Sequence, residues 1–153
     1  MRILHTSDWH LGRHFGAVPL IQDQCAFLEW LVDVSRRERV ELLVMAGDVY
    51  DRAIPPAEVV PLFNDAISRL CGNGTQVVVI TGNHDSVDRV TPPYRLLEPS
   101  GAHVRGGYLN VGDVLRLAFS DGPLDIVPLP YLDPQCAPDD SRRPTVSRRR
   151  SLA

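Results

Sequence analysis

The stretch 5–16, "HTSDWHLGRHFG", places an aspartate and three histidines at the end of an apolar run. Two later stretches are built the same way: "GDVYDR" (47–52) follows "ELLVMA", and "GNHD" (82–85) follows "QVVVIT". Together they carry Asp8, His10, Asp48, Asp51, Asn83, His84 and Asp85. Carboxylate, imidazole and amide-oxygen donors without thiolates suit hard or borderline divalent ions such as Mn²⁺, Fe²⁺ or Zn²⁺. An acid able to bridge two ions, with ligands on either side, is the pattern of a binuclear centre with its metals ~3.5–4 Å apart. Such a pair activates water and clamps the attacking and leaving oxygens of an in-line phosphoryl displacement.

Residues 8, 48 and 83 meet only if the fold brings three chain segments together at one end. Segments 2–7, 41–47 and 76–82 read as short, nearly continuous apolar strands covered on both faces, as in a parallel sheet. Between the first two, Ile21, Cys25, Leu28 and Val32 form the stripe of an amphipathic helix that ends in an Arg-rich turn. Between the second and third, Val59, Phe63, Ala66 and Leu70 form another stripe, with Gly72 and Gly74 as stop signals. Pro61 falls inside that stripe and should kink the helix or delay its start. The order βαβαβ implies right-handed crossovers and a layered α/β domain. In open α/β sheets, ligands bind beyond the carboxyl ends of the strands, so all seven residues are expected on one rim. Gly47 and Gly82 suit the tight strand exits that such a rim requires.

After residue 85 the pattern changes. Residues 90–101 read as a short, proline-interrupted helix and 102–107 as a strand; 114–132 read as two strands joined at an Asp121-Gly122 turn. Residues 134–153 show no periodicity and are expected to be a disordered tail.

A chain of 153 residues is expected to form one domain, and its 44% apolar and 23% charged shares are those of an ordinary globular protein. No apolar run approaches the roughly 20 residues of a membrane span. The start "MRILHTSD" has no long apolar signal core, so a cytoplasmic location is expected. Cys25, Cys71 and Cys136 form no CxxC pair, which argues against a disulfide framework or a cysteine-built zinc site. Cys25 and Cys71 fall in the helical patterns, as buried free thiols would. Every basic residue is an arginine, and residues 134–153 carry +3 while residues 1–133 carry −6. A body this acidic needs metal ions or local arginine patches to approach phosphates.

The three motifs, taken together, carry a family likeness. "DWH…GDVYDR…GNHD" resembles the calcineurin-like metallophosphoesterases. "ILHTSDWHLGR", "TGNHDS" and "PLPYLDP" are similar to the SbcD-type nucleases among them, from residue 1 to about Asp133. The resemblance implies a β-sheet sandwich flanked by helices, of which residues 1–133 would be the N-terminal part, truncated on its C-terminal side. It implies that Asp8 and His10 bind a first metal, Asp48 bridges, and Asn83 binds a second, the ions being Mn²⁺. His84 would assist the transition state or protonate the leaving oxygen, and Asp85 would orient His84 through its ring N–H. The implied reaction is hydrolysis of DNA phosphodiesters in repair and recombination. The implied partners are DNA, an SbcC-type ATPase subunit and a second copy of the nuclease chain, with no membrane. The family pattern continues with a further ligand histidine and a Gly-His-x-His motif. After His84 this sequence has only His103 and no Gly-His pair. Rival readings are another phosphoesterase of that superfamily and a catalytically inactive fragment.

The remaining polar residues have plainer readings. Arg13, His14 and Arg52 flank the motifs as candidate substrate contacts, against surface ion pairing for the arginines and a solvated loop for His14. His5 lies within the first strand and is expected to be a hydrogen-bonded core histidine. His103 belongs to a strand away from the motifs, and Trp9 is expected to pack rather than stack on a base.

Overall fold

The computed structural model of the chain describes residues 1–91 and 97–138. The chain opens with strand β1 (Ile3–Thr6), the small hairpin β2 (His14–Phe15) and β3 (Val18–Pro19), and helix α1 (Ile21–Arg37). Strand β4 (Leu42–Ala46), helix α2 (Val59–Gly72) and strand β5 (Gln76–Ile80) follow. The short helix α3 (Val87–Val90), strand β6 (Ala102–Arg105) and the hairpin β7 (Leu115–Phe119) and β8 (Gly122–Ile126) complete the order. Strands β1, β4, β5 and β6 pair in parallel, side by side in that order.

The registers decide which residues share a face. Ile3 pairs with Leu42, Val44 with Val78, and Val78 with His103, so these lie on one side of the sheet. Leu43, Met45, Val77, Val79, Ala102 and Val104 lie on the other, where α1 and α2 cover them with Leu28, Leu31, Phe63, Ile67 and Leu70. The β7–β8 hairpin covers the first side with Leu115, Leu117, Phe119, Leu124 and Ile126 against Leu42, Val44 and Val78. The result is a helix, sheet and hairpin layering, the layered α/β class expected from the sequence.

Strand β1 departs from the expected burial. It is an edge strand, and its hairpin-side residues Ile3 and His5 are exposed because the two-stranded hairpin does not reach them. His5 is therefore not a core histidine. Polar contacts anchor the hairpin in addition to its apolar cluster. The Glu41 carboxylate accepts from Ser120 N and Oγ (3.3 and 2.9 Å), and the Met1 amine donates to Asp121 at 2.6 Å. The turn falls at Ser120–Asp121, with Gly122 already paired to Phe119 at φ 129°, one residue earlier than the Asp-Gly signal indicates.

Pro61 lies in the first turn of α2, where backbone amides have no intrahelical acceptor, so the ring neither breaks a bond nor forces a kink. Of the proline-interrupted stretch, residues 92–96 lie outside the described residues, and Glu98–Ser100 form a 3-10 turn. A second such turn, Pro134–Cys136, sits in the segment expected to be disordered and is capped by Asp133 Oδ1 accepting from Gln135 N at 2.9 Å. The rest of that expectation, residues 139–153, lies outside the described residues. Cys25 and Cys71 are half-buried free thiols, and burial pushes the Cys71 pKa up.

His103 is buried in mid-strand, its Nε2 donating to Gln76 Oε1 at 3.1 Å, while Nδ1 has no partner among the described residues. Burial pushes its pKa down, with nearby Glu98 opposing and Arg105 adding to the effect. A neutral folded histidine means that the unfolded chain binds the proton first as pH falls. Stability is thus full above the unfolded value near 6.5 and is lost as pH drops toward the lowered folded value. Thermal melts of the wild type should fall in midpoint between pH 7.5 and 5.5, and His103→Leu should flatten that fall. Parallel curves for the two proteins would refute this role.

Candidate metal centre

Two strand exits, after β1 and β4, continue as a backbone ladder beyond the sheet. Asp8 N donates to Gly47 O (3.1 Å), His10 N to Asp48 O (3.0 Å), and Leu11 N to Val49 O (3.0 Å). The chain then pairs Leu11 with Tyr50 as an isolated parallel bridge. Within this ladder Asp8, His10 and Asp48 all adopt left-handed backbone, with φ of 56°, 42° and 54°. Such conformations cost roughly 1–3 kcal/mol each and persist only where surrounding bonds over-determine them.

The third exit, after β5, is locked in by close approach and by one carboxylate. A Cβ on Gly82 would overlap the Asp48 carboxylate and backbone nitrogen, and a Cβ on Gly47 would stand 3.0 Å from Gly82 Cα. Asp85 Oδ2 accepts from Gly82 N (2.9 Å) and Val49 N (3.1 Å), and its Oδ1 accepts from Tyr50 N (3.0 Å). One side chain thus ties the β5 exit to the β4 exit. This differs from the role implied by resemblance: Asp85 spends both oxygens on backbone amides and does not bond the His84 ring. The same charge, after burial, helps push the Tyr50 phenol up to about 12, so it stays neutral.

The donors converge as the strand order requires. One ligand atom each from Asp8, His10 and Asp48 lie within 4.8 Å of one another. His10 Nε2 stands 3.6 Å from Asp8 Oδ1 and 3.7 Å from Asp48 Oδ2. Those separations exceed a hydrogen bond and lie within the span of roughly 4 Å that two ligands of one ion occupy at ~2.0–2.2 Å each. His10 Nδ1 is buried, has no hydrogen-bond partner among the described residues, and faces Asp51 Oδ1 at 3.7 Å. Three carboxylates, of Asp8, Asp48 and Asp51, therefore surround one imidazole. Among the described residues the arginine paired within this group is Arg13, whose Nε is 3.9 Å from Asp51. A donor set of this sign and hardness fits a divalent ion.

His84 joins the same cluster. Its backbone N donates to Asp48 Oδ1 at 3.1 Å, and its ring stands edge-on to His10 with centroids 4.9 Å apart. Its Nδ1 is 2.9 Å from the Asp51 carbonyl oxygen, which only accepts, so Nδ1 carries the proton and Nε2 is the ring's remaining polar atom. Asn83 is exposed on the same loop, between Gly82 and His84. Arg13 is half exposed beside Asp51, while His14 in β2 and Arg52 after Asp51 are exposed. His103 lies within the sheet, opposite Val78, and is not brought to the rim. Trp9 is 6% exposed and packs edge-on against Phe27 of α1 and Phe63 of α2, as a packing residue does.

Two supports were not legible as such. The Asp51 carbonyl orients His84, a backbone role that no residue type announces. Gln24, in the first turn of α1, bonds the loop that carries His10. The signal for it exists: at i+3 from Ile21 and i−4 from Leu28, Gln24 is a polar residue interrupting the apolar stripe.

A family model described as calcineurin-like phosphoesterase matches residues 1–137. The SbcD component of the nuclease SbcCD from Escherichia coli K12 is 33% identical over 135 residues, covering 88% of this chain and 34% of that protein. The protein of the same name from Bacillus subtilis is 39% identical over 107 residues, 69% of this chain and 27% of its own length. The chain thus spans about a third of the length of the curated relatives it matches.

Gly82→Ala should displace Asp48 and lower stability by about 1–3 kcal/mol, with loss of divalent-metal binding in titration calorimetry. Asp85→Ala leaves three backbone donors without their acceptor and should cost about 3 kcal/mol in denaturant unfolding. A cost below about 1 kcal/mol, the worth of a single ordinary hydrogen bond, would mean that the two exits are held by other contacts.

Proposed function

The chain belongs to the calcineurin-like phosphoesterase family, and from that premise we propose that it is the N-terminal part of a metal-dependent DNA phosphodiesterase. The observation that carries this reading is the convergence of Asp8, His10 and Asp48 at the ends of neighbouring parallel strands, beside His84. Asp8 and His10 would hold a first ion, Asp48 would lie between two, and Asn83 would hold the second, Mn²⁺ being the ion proposed. Bound there, the ions supply polarisation of a phosphoryl oxygen and a water acidic enough to attack at neutral pH.

The chain's own residues do the rest. The three carboxylates outnumber the one arginine paired with them among the described residues and repel a bare phosphodiester, so DNA would approach this rim only after cations are in place. His84, its Nδ1–H held by the Asp51 carbonyl, would turn Nε2 toward the leaving oxygen and would donate a hydrogen bond or proton there as the doubly protonated imidazolium. Asp85 acts at one remove, by holding the loops that carry Asp48 and His84. Arg13, Arg52 and His14 are the proposed contacts to flanking phosphates. DNA as substrate, rather than a small phosphodiester, rests on likeness to two relatives named as components of a nuclease. The motif resemblance supports as proposed partners an SbcC-type ATPase and a second copy of the chain, with a role in DNA repair and recombination, and the start without a long apolar signal core supports the cytoplasm as the proposed location. Among the described residues no helix is long and apolar enough to cross a membrane.

The donors on this rim make up part of a two-ion set. The 153-residue chain should take up Mn²⁺ in titration calorimetry, and Asp48→Ala should abolish the uptake. Linear DNA should be cleaved slowly or not at all by this chain, and readily by a chain extended to the length of the relatives. In that longer chain His84→Ala should lower kcat by roughly 10²–10⁴-fold. Absence of Mn²⁺ uptake by the wild type would defeat the reading.

A further inference from the structure

We propose that Gln24 is a positioning residue for the metal centre, setting the backbone that presents Asp8 and His10. The inference rests on the metal-centre reading above and adds to it a residue outside the ligand motifs. Gln24 lies in the first turn of α1, and its side chain crosses to the loop after β1. There Oε1 accepts from Gly12 N at 3.0 Å, while Nε2 donates to His10 O at 2.8 Å and to Trp9 O at 3.3 Å. One amide therefore holds three points of the loop backbone: the residue before His10, His10 itself, and the glycine two residues on.

That loop has reason to need holding. Asp8 and His10 are left-handed non-glycine residues, and Gly12 follows at φ 90°. The ladder to β4 satisfies the amides of Asp8, His10 and Leu11, but not the carbonyls of Trp9 and His10 or the Gly12 amide. Arg13 N also reaches the His10 carbonyl, at 3.0 Å, so that oxygen accepts from both sides. Gly12 is backed on the far side by Pro56, where an added Cβ would stand 3.2 Å from its ring. The loop is thus clamped between Gln24 of α1 and the segment leading into α2. An amide suits this task, since its tip both donates and accepts without carrying a charge. The cluster also explains why a polar residue stands in the α1 stripe.

The test titrates Mn²⁺ alone into the metal-free chain, with bound ion followed by electron paramagnetic resonance. Gln24→Met keeps the length and removes both polar functions; it should weaken Mn²⁺ binding by about 10–100-fold, the range for lost support of metal ligands. In the metal-free protein, amide exchange at Gly12 should quicken while α1 amides beyond its first turn stay protected. Gln24→Glu keeps the acceptor for Gly12 N and loses the donor to His10 O. It should restore Gly12 protection without restoring affinity, and it serves as the second variant should the Met variant not fold. A purely structural role would lower the melting midpoint and leave the affinity of the folded fraction unchanged; that result overturns the inference while the metal-centre reading stands. No Mn²⁺ uptake by the wild type defeats the metal-centre reading, and the positioning role falls with it.

Discussion

The carboxylate of Asp85, accepting three backbone N–H groups from two strand exits, is the interaction on which the rim of this protein depends. Gly82 N belongs to the β5 exit, and Val49 N and Tyr50 N belong to the β4 exit. An ionised acceptor makes these bonds roughly twice as strong as neutral ones. They hold Gly82 against Asp48 at a separation that admits no side chain. Asp48, so held, accepts from His84 N, and Asp51, three residues on, fixes the His84 ring. Left-handed backbone at Asp8, His10 and Asp48 is tolerable because each residue is bound into this network or the ladder beside it.

The layers beneath the rim explain why the three exits are neighbours at all. Parallel pairing sends every strand out of the same edge, and the crossovers through α1 and α2 bury the sheet's helix side in one continuous core. Trp9 links that core to the site. Flanked in sequence by Asp8 and His10, it inserts between Phe27 and Phe63 and donates from Nε1 to Thr6 Oγ1 at 2.9 Å. The opposite side is covered more thinly, by two short strands, which leaves Ile3 and His5 of the edge strand in solvent. Site and core are thus joined on the helix side. The hairpin side contributes a second, smaller cluster and polar anchors at Glu41 and Met1.

Much of this was legible. The apolar runs, the glycines at their ends and the polar triplets after them identify strands, exits and donors, because period, turn chemistry and ligand type are local properties of a chain. The helical stripes located α1 and α2 closely, although the kink or late start expected of Pro61 does not occur, because α2 already begins at Val59 and takes the proline into its first turn. Ligand hardness, set by the absence of thiolates and the mixture of carboxylate and imidazole, also needs no structure.

Other features were decided only when segments far apart in the chain came together. Asp85 faces the amides of residues 49 and 50 rather than its neighbour His84, since the β4 exit passes close enough to claim both its oxygens. His5 is exposed because β1 takes the sheet's edge, a matter of strand order rather than of strand composition. Gln24 shows in the sequence only as a break in the α1 stripe, and its role appears once α1 packs under the loop of residues 8–12. The sequence alone determines which donors exist and on which strand ends they stand. The partner of each polar atom is a tertiary decision, because a hydrogen bond depends on ångström-scale placement that no local pattern encodes.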